Sequence, residues 1–324
     1  MSEHPPIRMT ETSRISLALP KISPLLGRAI ILLILLGAAA TTPGFLSAPT
    51  FAALIAKVSV IGCLAVAMTF ITIGGNIMSF ALGATAASSS VMFIYVLNDY
   101  GFFPAIAAAL LFGASVTAIQ GVLVGFIRAN PIIVTIAANV LIYGSASWLI
   151  QNMSAFMQPN VIAYAIRGKV IGISSEFFFF LASVGVSQIL LSFTLFGRQL
   201  LLIGSGPRAA EAIGVNIGKV TTAAYALSGV FAALSGVLLA IRYGQGNMEL
   251  AASYDYDAIA AVLVGGTAIQ GGFGSQLRTL LGVLIISVIE IALLLNGFRE
   301  EWRFTITGLL IILVVILYSK RQKA

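Results

Sequence analysis

Long apolar segments recur along the whole chain, and they restrict its fold more than any other feature of the sequence. A helix needs about 20 apolar residues to cross a hydrocarbon core of about 30 Å. Hydrophobic residues make up 59% of the chain and charged residues only 9%, far from the balance of soluble domains. We therefore predict an all-α, polytopic integral membrane protein of about ten transmembrane helices. The predicted spans are 29–47, 51–72, 79–97, 102–127, 132–151, 176–196, 221–242, 256–269, 276–296 and 303–319.

Polar residues at both ends flank this apolar region. Residues 1–28 are predicted to form a cytoplasmic tail, 29–319 the transmembrane domain, and 320–324 a second cytoplasmic tail. The small-residue run 38–40 resembles a cleavage site. The polar region before it is too long for a signal peptide, so a retained tail is favoured.

Basic residues orient the chain, because cytoplasmic loops carry an excess of Lys and Arg. With both termini in the cytoplasm, twelve basic residues fall on the inner side and five on the outer side. The inner ones are Arg8, Arg14, Lys21, Arg28, Arg128, Arg198, Arg208, Lys219, Arg278, Lys320, Arg321 and Lys323; the outer ones are Arg167, Lys169, Arg242, Arg299 and Arg303. The acidic residues Asp99, Glu176, Glu249, Asp255, Asp257, Glu300 and Glu301 are all expected on the outer side. Topology and membrane lipid account for the net charge of +7 without a nucleic-acid partner.

Side chains suited to catalysis or metal binding are scarce. The single histidine, His4, lies in the N-terminal tail, and the single cysteine, Cys63, lies in the second predicted span. This excludes a zinc site of the His/Cys type and a histidine-based catalytic triad. The chain has no Gly-x-x-x-x-Gly-Lys-Ser/Thr loop to hold a nucleotide, so ATP hydrolysis by that route needs another subunit. We expect no cofactor and no enzymatic activity.

Lys57 and Glu290 are expected to be the only charges in the membrane interior. Both are predicted roughly 10 Å below the outer surface at about 1.5 Å per helical residue. Intramembrane charges usually pair or line a cavity because an unpaired charge is costly there. A mutual salt bridge is one interpretation. The alternatives are a Lys57 side chain that extends to the interface and a Glu290 contact with another helix.

Two glycine pairs are followed by polar residues inside apolar sequence. Asn76 follows Gly74–Gly75, and Thr267 follows Gly265–Gly266. Either pair can unwind a helix, and such backbone persists in a membrane only within protein or beside a water-filled cavity. The second pair also interrupts 256–269, which is too short to cross as a plain helix, so we predict a broken or re-entrant segment there. Close helix packing is the alternative for both pairs.

Residues 204–218 form a polar segment between two apolar spans, and they carry Arg208 and Glu211. A proline suited to a first helical turn, three alanines and a terminal glycine predict a two-turn helix outside the bilayer. These residues are Pro207, Ala209, Ala210, Ala212 and Gly214. From this segment alone, an ordinary polar loop is the alternative interpretation.

Segments in this order resemble those of ribose-type ABC transporter permeases. They are Phe196–Arg198, Ile203–Val215, Tyr225–Gly229, Tyr256–Thr267, Gly271–Ser275, Thr279–Gly282 and Asn296–Gly297, with weaker matches at Gly74–Gly75 and Pro131–Thr135. The resemblance covers most of residues 50–319. It implies a permease subunit that forms half of the membrane part of an ABC importer in the bacterial inner membrane. The implied partners are a cytoplasmic ATPase, a periplasmic solute-binding protein and a second permease copy or paralogue.

The resemblance also assigns roles to residues. The polar segment becomes the coupling helix that docks on the ATPase, through Gly206, Pro207, Arg208, Ala209, Ala210, Glu211, Ala212 and Gly214. The predicted translocation path comprises Gly74, Gly75, Asn76, Ser79, Asn139, Tyr143, Gly265, Gly266 and Thr267. For the polar members of the path, interhelical hydrogen bonding is the alternative role.

The chain departs from the family beside the first glycine pair. Sugar permeases of this type continue with Ile-Asp-Leu-Ser, whereas this chain continues with Asn76 and then Ile77, Met78 and Ser79. The acidic residue of the family has no clear counterpart in this chain. A small neutral solute, a monosaccharide or related polyol, is the expected cargo because the predicted path carries no fixed charge. The alternatives are an ABC permease for a nucleoside or amino acid, and a secondary transporter that works without ATP.

Overall fold

The computed structural model describes residues 33, 35–37, 41–150, 155–159, 162, 166, 168–170, 173–251, 253–299, 301–302, 304–309 and 311–312, and both predicted tails lie outside them. The described chain is mostly helical. The helices are α1 (Ala48–Ile73), α2 (Leu82–Tyr100), α3 (Phe102–Gly125), α4 (Pro131–Ile150), α5 (Ser175–Phe193), α6 (Leu195–Ser205), α7 (Pro207–Ala212), α8 (Ile217–Tyr243), α9 (Tyr254–Gly265) and α10 (Gln276–Leu295). Short antiparallel strands pair β1 (Ala155–Phe156) with β4 (Gln245–Gly246), and β2 (Lys169–Val170) with β3 (Ile173–Ser174).

Helix α8 lies at the centre of the bundle and packs against α1, α2 and α3. Small side chains permit this close packing, since transmembrane helices associate mainly through packing and hydrogen bonds. A Cβ added to Gly236 would lie 2.0 Å from the carbonyl oxygen of Ala86 in α2. The Ser228 hydroxyl donates a 2.7 Å hydrogen bond to the carbonyl of Ala67 in α1. The small residues of α8 therefore determine how close its neighbours lie.

Six helices of the described chain are long and apolar enough to cross a membrane, so the predicted count of ten is not confirmed. They are α1, α3, α4, α5, α8 and α10. The predicted span 79–97 corresponds to α2, whose serine run and Asn98–Asp99 end make it less apolar than these six. The predicted span 256–269 corresponds to α9, which has only 12 residues.

The first and last predicted spans lie partly outside the described residues. From residue 41 to 46 the chain forms turns, so the first span does not continue as a helix to 47. Helix α1 starts after them because the Ser47 hydroxyl accepts the N–H of Thr50 and a proline occupies the first turn.

The bundle has two ends. At the α7 end, helices α1, α3 and α9 finish and α8 and α10 begin. At the opposite end, α1, α3 and α5 begin, α2, α8 and α10 finish, and β1 pairs with β4. Helices α9 and α10 form an antiparallel hairpin. They pack so closely that a Cβ on Gly282 would lie 1.9 Å from the carbonyl oxygen of Ala261.

Candidate functional site

The polar segment folds into α7, the short helix that its composition predicts. Gly206 precedes it in an extended conformation, and Pro207 occupies its first turn. The helix ends at Ala212, and Gly214 turns the chain with a φ of 86°. Ala210 is buried against the bundle, whereas Arg208 and Glu211 are exposed. The helix therefore rests on the bundle through Ala210 and presents Arg208 and Glu211 outward.

A second short helix, α6, leads into α7 and was not part of the sequence prediction, which ends a span at 196. The Thr194 hydroxyl caps α6 by accepting the N–H of Gly197 at 3.2 Å. Leu200 and Ile203 lie on one face of α6 and are buried. Their three-residue spacing is the signal that identifies this helix.

Three backbone segments meet directly beneath α7, and we call their contact the glycine junction. It comprises Ile73–Gly75 at the end of α1, Gly204–Ser205 at the end of α6, and Gly271–Gly272 before α10. The N–H of Gly272 donates a 2.9 Å hydrogen bond to the carbonyl of Ile73.

Only glycine fits at the centre of this junction. A Cβ on Gly204 would lie 2.0 Å from the carbonyl oxygen of Ile73 and 2.3 Å from the nitrogen of Gly272. A Cβ on Gly271 would lie 2.4 Å from the backbone of Gly75. Since the neighbouring atoms belong to backbone, no side-chain rotation relieves such contacts. The end of α6, just before α7, is therefore in close backbone contact with both α1 and the α9–α10 connection.

Glu211 of α7 also contacts the connection between α3 and α4. Its carboxylate lies 2.9 Å from the Arg128 guanidinium, and both side chains are more than half exposed. Arg128 takes a left-handed backbone conformation, with a φ of 59°. A groove of about 380 Å³ lies between the α3–α4 connection and the α7 region, and Arg128 and Glu211 both line it. An exposed pair of this kind contributes little to stability.

The segment between α1 and α2 is not helical, which agrees with the helix break expected at Gly74–Gly75. Gly75 has a φ of 79°. Ser79 is buried, and its N–H lies 3.3 Å from the Met68 sulfur. The Asn139 amide of α4 donates a hydrogen bond to the carbonyl of Phe80. This hydrogen bond joins α4 to the segment between α1 and α2, and a place for Asn139 in the translocation path stays a prediction.

The remaining predicted path residues lie in three different surroundings. Asn76 is partly exposed, and Tyr143 lies exposed on α4. Helix α9 ends at the second glycine pair, where Gly266 has a φ of 78°. Thr267 follows it, and its hydroxyl is buried without a hydrogen-bond partner in the part of the chain that the structure describes. The structure thus brings both glycine pairs to the α7 end, while Asn139 and Tyr143 come from α4.

Lys57 and Glu290 form an ion pair, so the salt-bridge interpretation agrees with the structure. Glu290 is 2% exposed and Lys57 19% exposed. Together with Arg242 they line a cavity of about 270 Å³ near the opposite end of the bundle. Arg242 in turn pairs with Glu176 at 3.2 Å.

Lys57 and Glu290 are not the only acidic or basic side chains that are buried in the described bundle. Glu176, Asp255 and Asp257 are each less than 5% exposed within the bundle instead of lying on an outer surface. The sequence prediction places these acidic residues outside because they lie at the ends of apolar runs. Folding carries the Asp255–Asp257 turn inward, against the start of α2.

Comparisons with known proteins show which family the chain belongs to. Residues 50–315 match the family described as branched-chain amino acid transport system / permease component. The chain belongs to this permease family. The resemblance to ribose-type permeases is confirmed by relatives that are themselves import permeases of sugars.

Three relatives show the extent of the match. The permease is 31% identical to the galactose/methyl galactoside import permease protein MglC of Haemophilus influenzae, over 90% of this chain and 94% of the relative. It is 30% identical to the ribose import permease protein RbsC of Bacillus subtilis, over 97% of this chain and 98% of the relative. The match to MglC of Escherichia coli is 33% identical and spans 64% of each chain, just under two thirds. No solved structure matches the permease.

Membership of this family has direct consequences. The protein is a multi-pass inner-membrane transport subunit and not an enzyme. The ATPase of such a transporter is a separate subunit, and the family implies a solute-binding protein as a second partner.

Proposed function

We propose that this permease moves a small neutral solute, a monosaccharide or related polyol, into the cytoplasm as half of the membrane part of an ABC importer. The observation that carries the proposal is the alignment with galactose and ribose import permeases over at least 90% of both chains. A periplasmic binding protein delivers the solute to the opposite end. A second permease copy or close paralogue completes the path.

In this proposal the α7 end faces the cytoplasm, as do both termini. Most described basic side chains outside the bundle interior belong to that end, and positive charge favours the cytoplasmic side. They are Arg128, Arg198, Arg208, Lys219 and Arg278. At the opposite end, Arg242 is paired with the buried Glu176, so its charge is largely balanced within the protein.

Helix α7 is the proposed docking element for the ATPase, with Gly206–Gly214 as its contact region and Arg208 and Glu211 as its polar contacts. Two observations support this role. The charged side of α7 is exposed, and the glycine junction includes Gly204–Ser205, which end α6 just before α7 begins. Movement of the ATPase groove would reach the proposed path residues at Gly74–Gly75 through that junction.

Reconstitution tests the proposed function. Proteoliposomes would contain the permease, its ATPase subunit and its binding protein, and uptake of labelled ribose, galactose, fructose and leucine would be measured. We expect uptake of at least one monosaccharide that requires ATP and all three components. Uptake without the ATPase would identify a secondary transporter, and uptake of leucine but of no sugar would contradict the proposed solute class.

Charge reversal at Glu211 tests the docking role of α7. We expect Glu211→Arg to leave the folded amount unchanged, because an exposed ion pair contributes little to stability. Since a like-charge contact at an interface is costly, recovery of the ATPase with the tagged permease should fall by about tenfold or more, together with uptake.

The Arg128 pair provides the control for this variant. The double variant Arg128→Glu/Glu211→Arg restores the contact inside the permease but not the contact with the ATPase. We expect it to remain defective. If the double variant recovers uptake, Glu211 acts only through Arg128, and the docking role is contradicted.

A further inference from the structure

The start of α2 lacks a cap from its own sequence. Ala81 occupies the capping position and makes no side-chain hydrogen bond to the helix. The first N–H groups of a helix have no partner within it, and when buried they need one from elsewhere. Here the N–H of Gly83 donates a 2.7 Å hydrogen bond to the Asp255 carboxylate, which lies 172 residues away in the first turn of α9. We call this the Asp255 contact.

The carboxylate lies at two helix starts at once. Ser253, at the capping position of α9, makes no side-chain hydrogen bond to that helix, and Asp255 follows in its first turn. Negative charge is stabilised near a helix N-terminus, and here α2 and α9 both contribute. Asp255 is only 4% exposed. Backbone N–H groups of α2 therefore take the place of water as its hydrogen-bond donors.

The Asp255 contact lies well inside the bundle. In α8, which has 27 residues and is about 40 Å long, Gly236 packs against Ala86 of α2. Gly83 precedes Ala86 by about one turn, in the direction of the α7 end. The contact consequently lies beside the middle of α8 and away from both ends of the bundle.

The backbone at Gly83 lies too close to Asp255 and Ala251 for a side chain to fit between them. A Cβ at this position would lie 2.7 Å from the carbonyl oxygen of Ala251 and 2.8 Å from the Asp255 carboxylate. A side chain on residue 83 would therefore separate α2 from α9. Both sides of the contact depend on a specific residue type.

Two paths connect the Asp255 contact with the glycine junction. From Gly83 the chain runs back through the non-helical segment 74–81 to the junction at Ile73–Gly75. From Asp255, α9 and the following turn run to the junction at Gly271–Gly272. The two paths are therefore joined at both of their ends, once beneath α7 and once in the middle of the bundle.

We propose that Asp255 is a positioning residue for transport, which holds the start of α2 on the start of α9 so that segment 74–81 and α9 move as one unit when α7 is displaced. This inference rests on the proposed function. A residue with this role links ATP hydrolysis to solute movement without touching the solute.

The test measures uptake and ATP hydrolysis in the same reconstituted complex. Asp255→Asn keeps an acceptor oxygen but loses the charge, and Asp255→Ala loses both. We expect the solute moved per ATP to fall by about tenfold for Asp255→Ala, as for other losses of coupling between sites, and less for Asp255→Asn. Asp255→Glu should recover part of the ratio. The solute concentration for half-maximal uptake should stay unchanged in all three.

A substitution at Gly83 tests the same contact from the side of α2. Gly83→Ala should lower the ratio of solute to ATP as Asp255→Ala does. The matched control is Gly185→Ala in α5, where a Cβ meets no atom within 4 Å and the ratio should stay at the wild-type value.

The outcomes separate this inference from the proposed function. If the wild-type complex moves no monosaccharide, the proposed function fails. If the wild type transports but folded Asp255→Asn and Asp255→Ala keep its ratio of solute to ATP, the positioning role is overturned. Failure of Asp255→Asn and Gly83→Ala alike to fold would also overturn it, because it would show a structural role.

Discussion

Glu290→Gln is expected to lower the amount of folded permease, with one of the largest effects of any single substitution. The change leaves the Lys57 ammonium without its partner in the bundle, where Lys57 is 19% exposed. Breaking a buried ion pair by removing one partner costs about 3–5 kcal/mol. The measurement is thermal unfolding of the protein purified in detergent, together with its yield from membranes.

The double variant Lys57→Met/Glu290→Gln separates the pair from the individual residues. Replacing both charges is often close to neutral, so the double variant should recover most of the stability that each single variant loses. Glu301→Gln is the control, because Glu301 pairs with Arg299 in an exposed position and should change nothing measurable. Additive losses in the double variant would show that the two buried charges do not interact.

Gly204→Ala is expected to abolish transport and to reduce the folded amount. The new Cβ would lie 2.0 Å from the carbonyl oxygen of Ile73 and 2.3 Å from the nitrogen of Gly272. It would separate the two residues whose 2.9 Å hydrogen bond closes the glycine junction. Overpacking a close contact usually costs about 1–3 kcal/mol, and rigid backbone on both sides puts this position at the upper end.

Uptake by proteoliposomes and unfolding in detergent measure the effect of Gly204→Ala. Gly185→Ala is the control, since a Cβ at this position in α5 meets no atom within 4 Å. Wild-type uptake and stability for Gly204→Ala would show that the three segments do not meet beneath α7.

Local signals in the sequence account for the elements that were predicted correctly. Apolar length identified α1, α3, α4, α5, α8 and α10, because each of these helices is both long and uniformly apolar. The break after α1 and the end of α9 followed from glycine pairs, and α7 followed from a proline, alanines and a glycine. Each of these signals lies within a few residues of the structure that it determines.

The burial of Asp255 shows what such local signals do not predict. Its position beside an apolar run is typical of a residue on the outer surface. The stabilising partner, the N–H of Gly83, is a backbone group that every residue except proline possesses, so no side chain marks it in the sequence. The sequence predicted a span at the position of α2. It did not show that Asp255 of α9 supplies the hydrogen-bond acceptor that Ala81 lacks.

The sequence by itself determined the membrane class and the principal helices, since hydrophobic length and glycine or proline chemistry act locally along the chain. The family followed from its resemblance to known permeases. Only the tertiary structure decided that Lys57 pairs with Glu290, that three backbone segments meet beneath α7, and that Asp255 joins two helix starts. These contacts connect residues far apart in sequence. Most of them use backbone atoms or the absence of a side chain, so helix packing, and not the neighbouring sequence, specifies their partners.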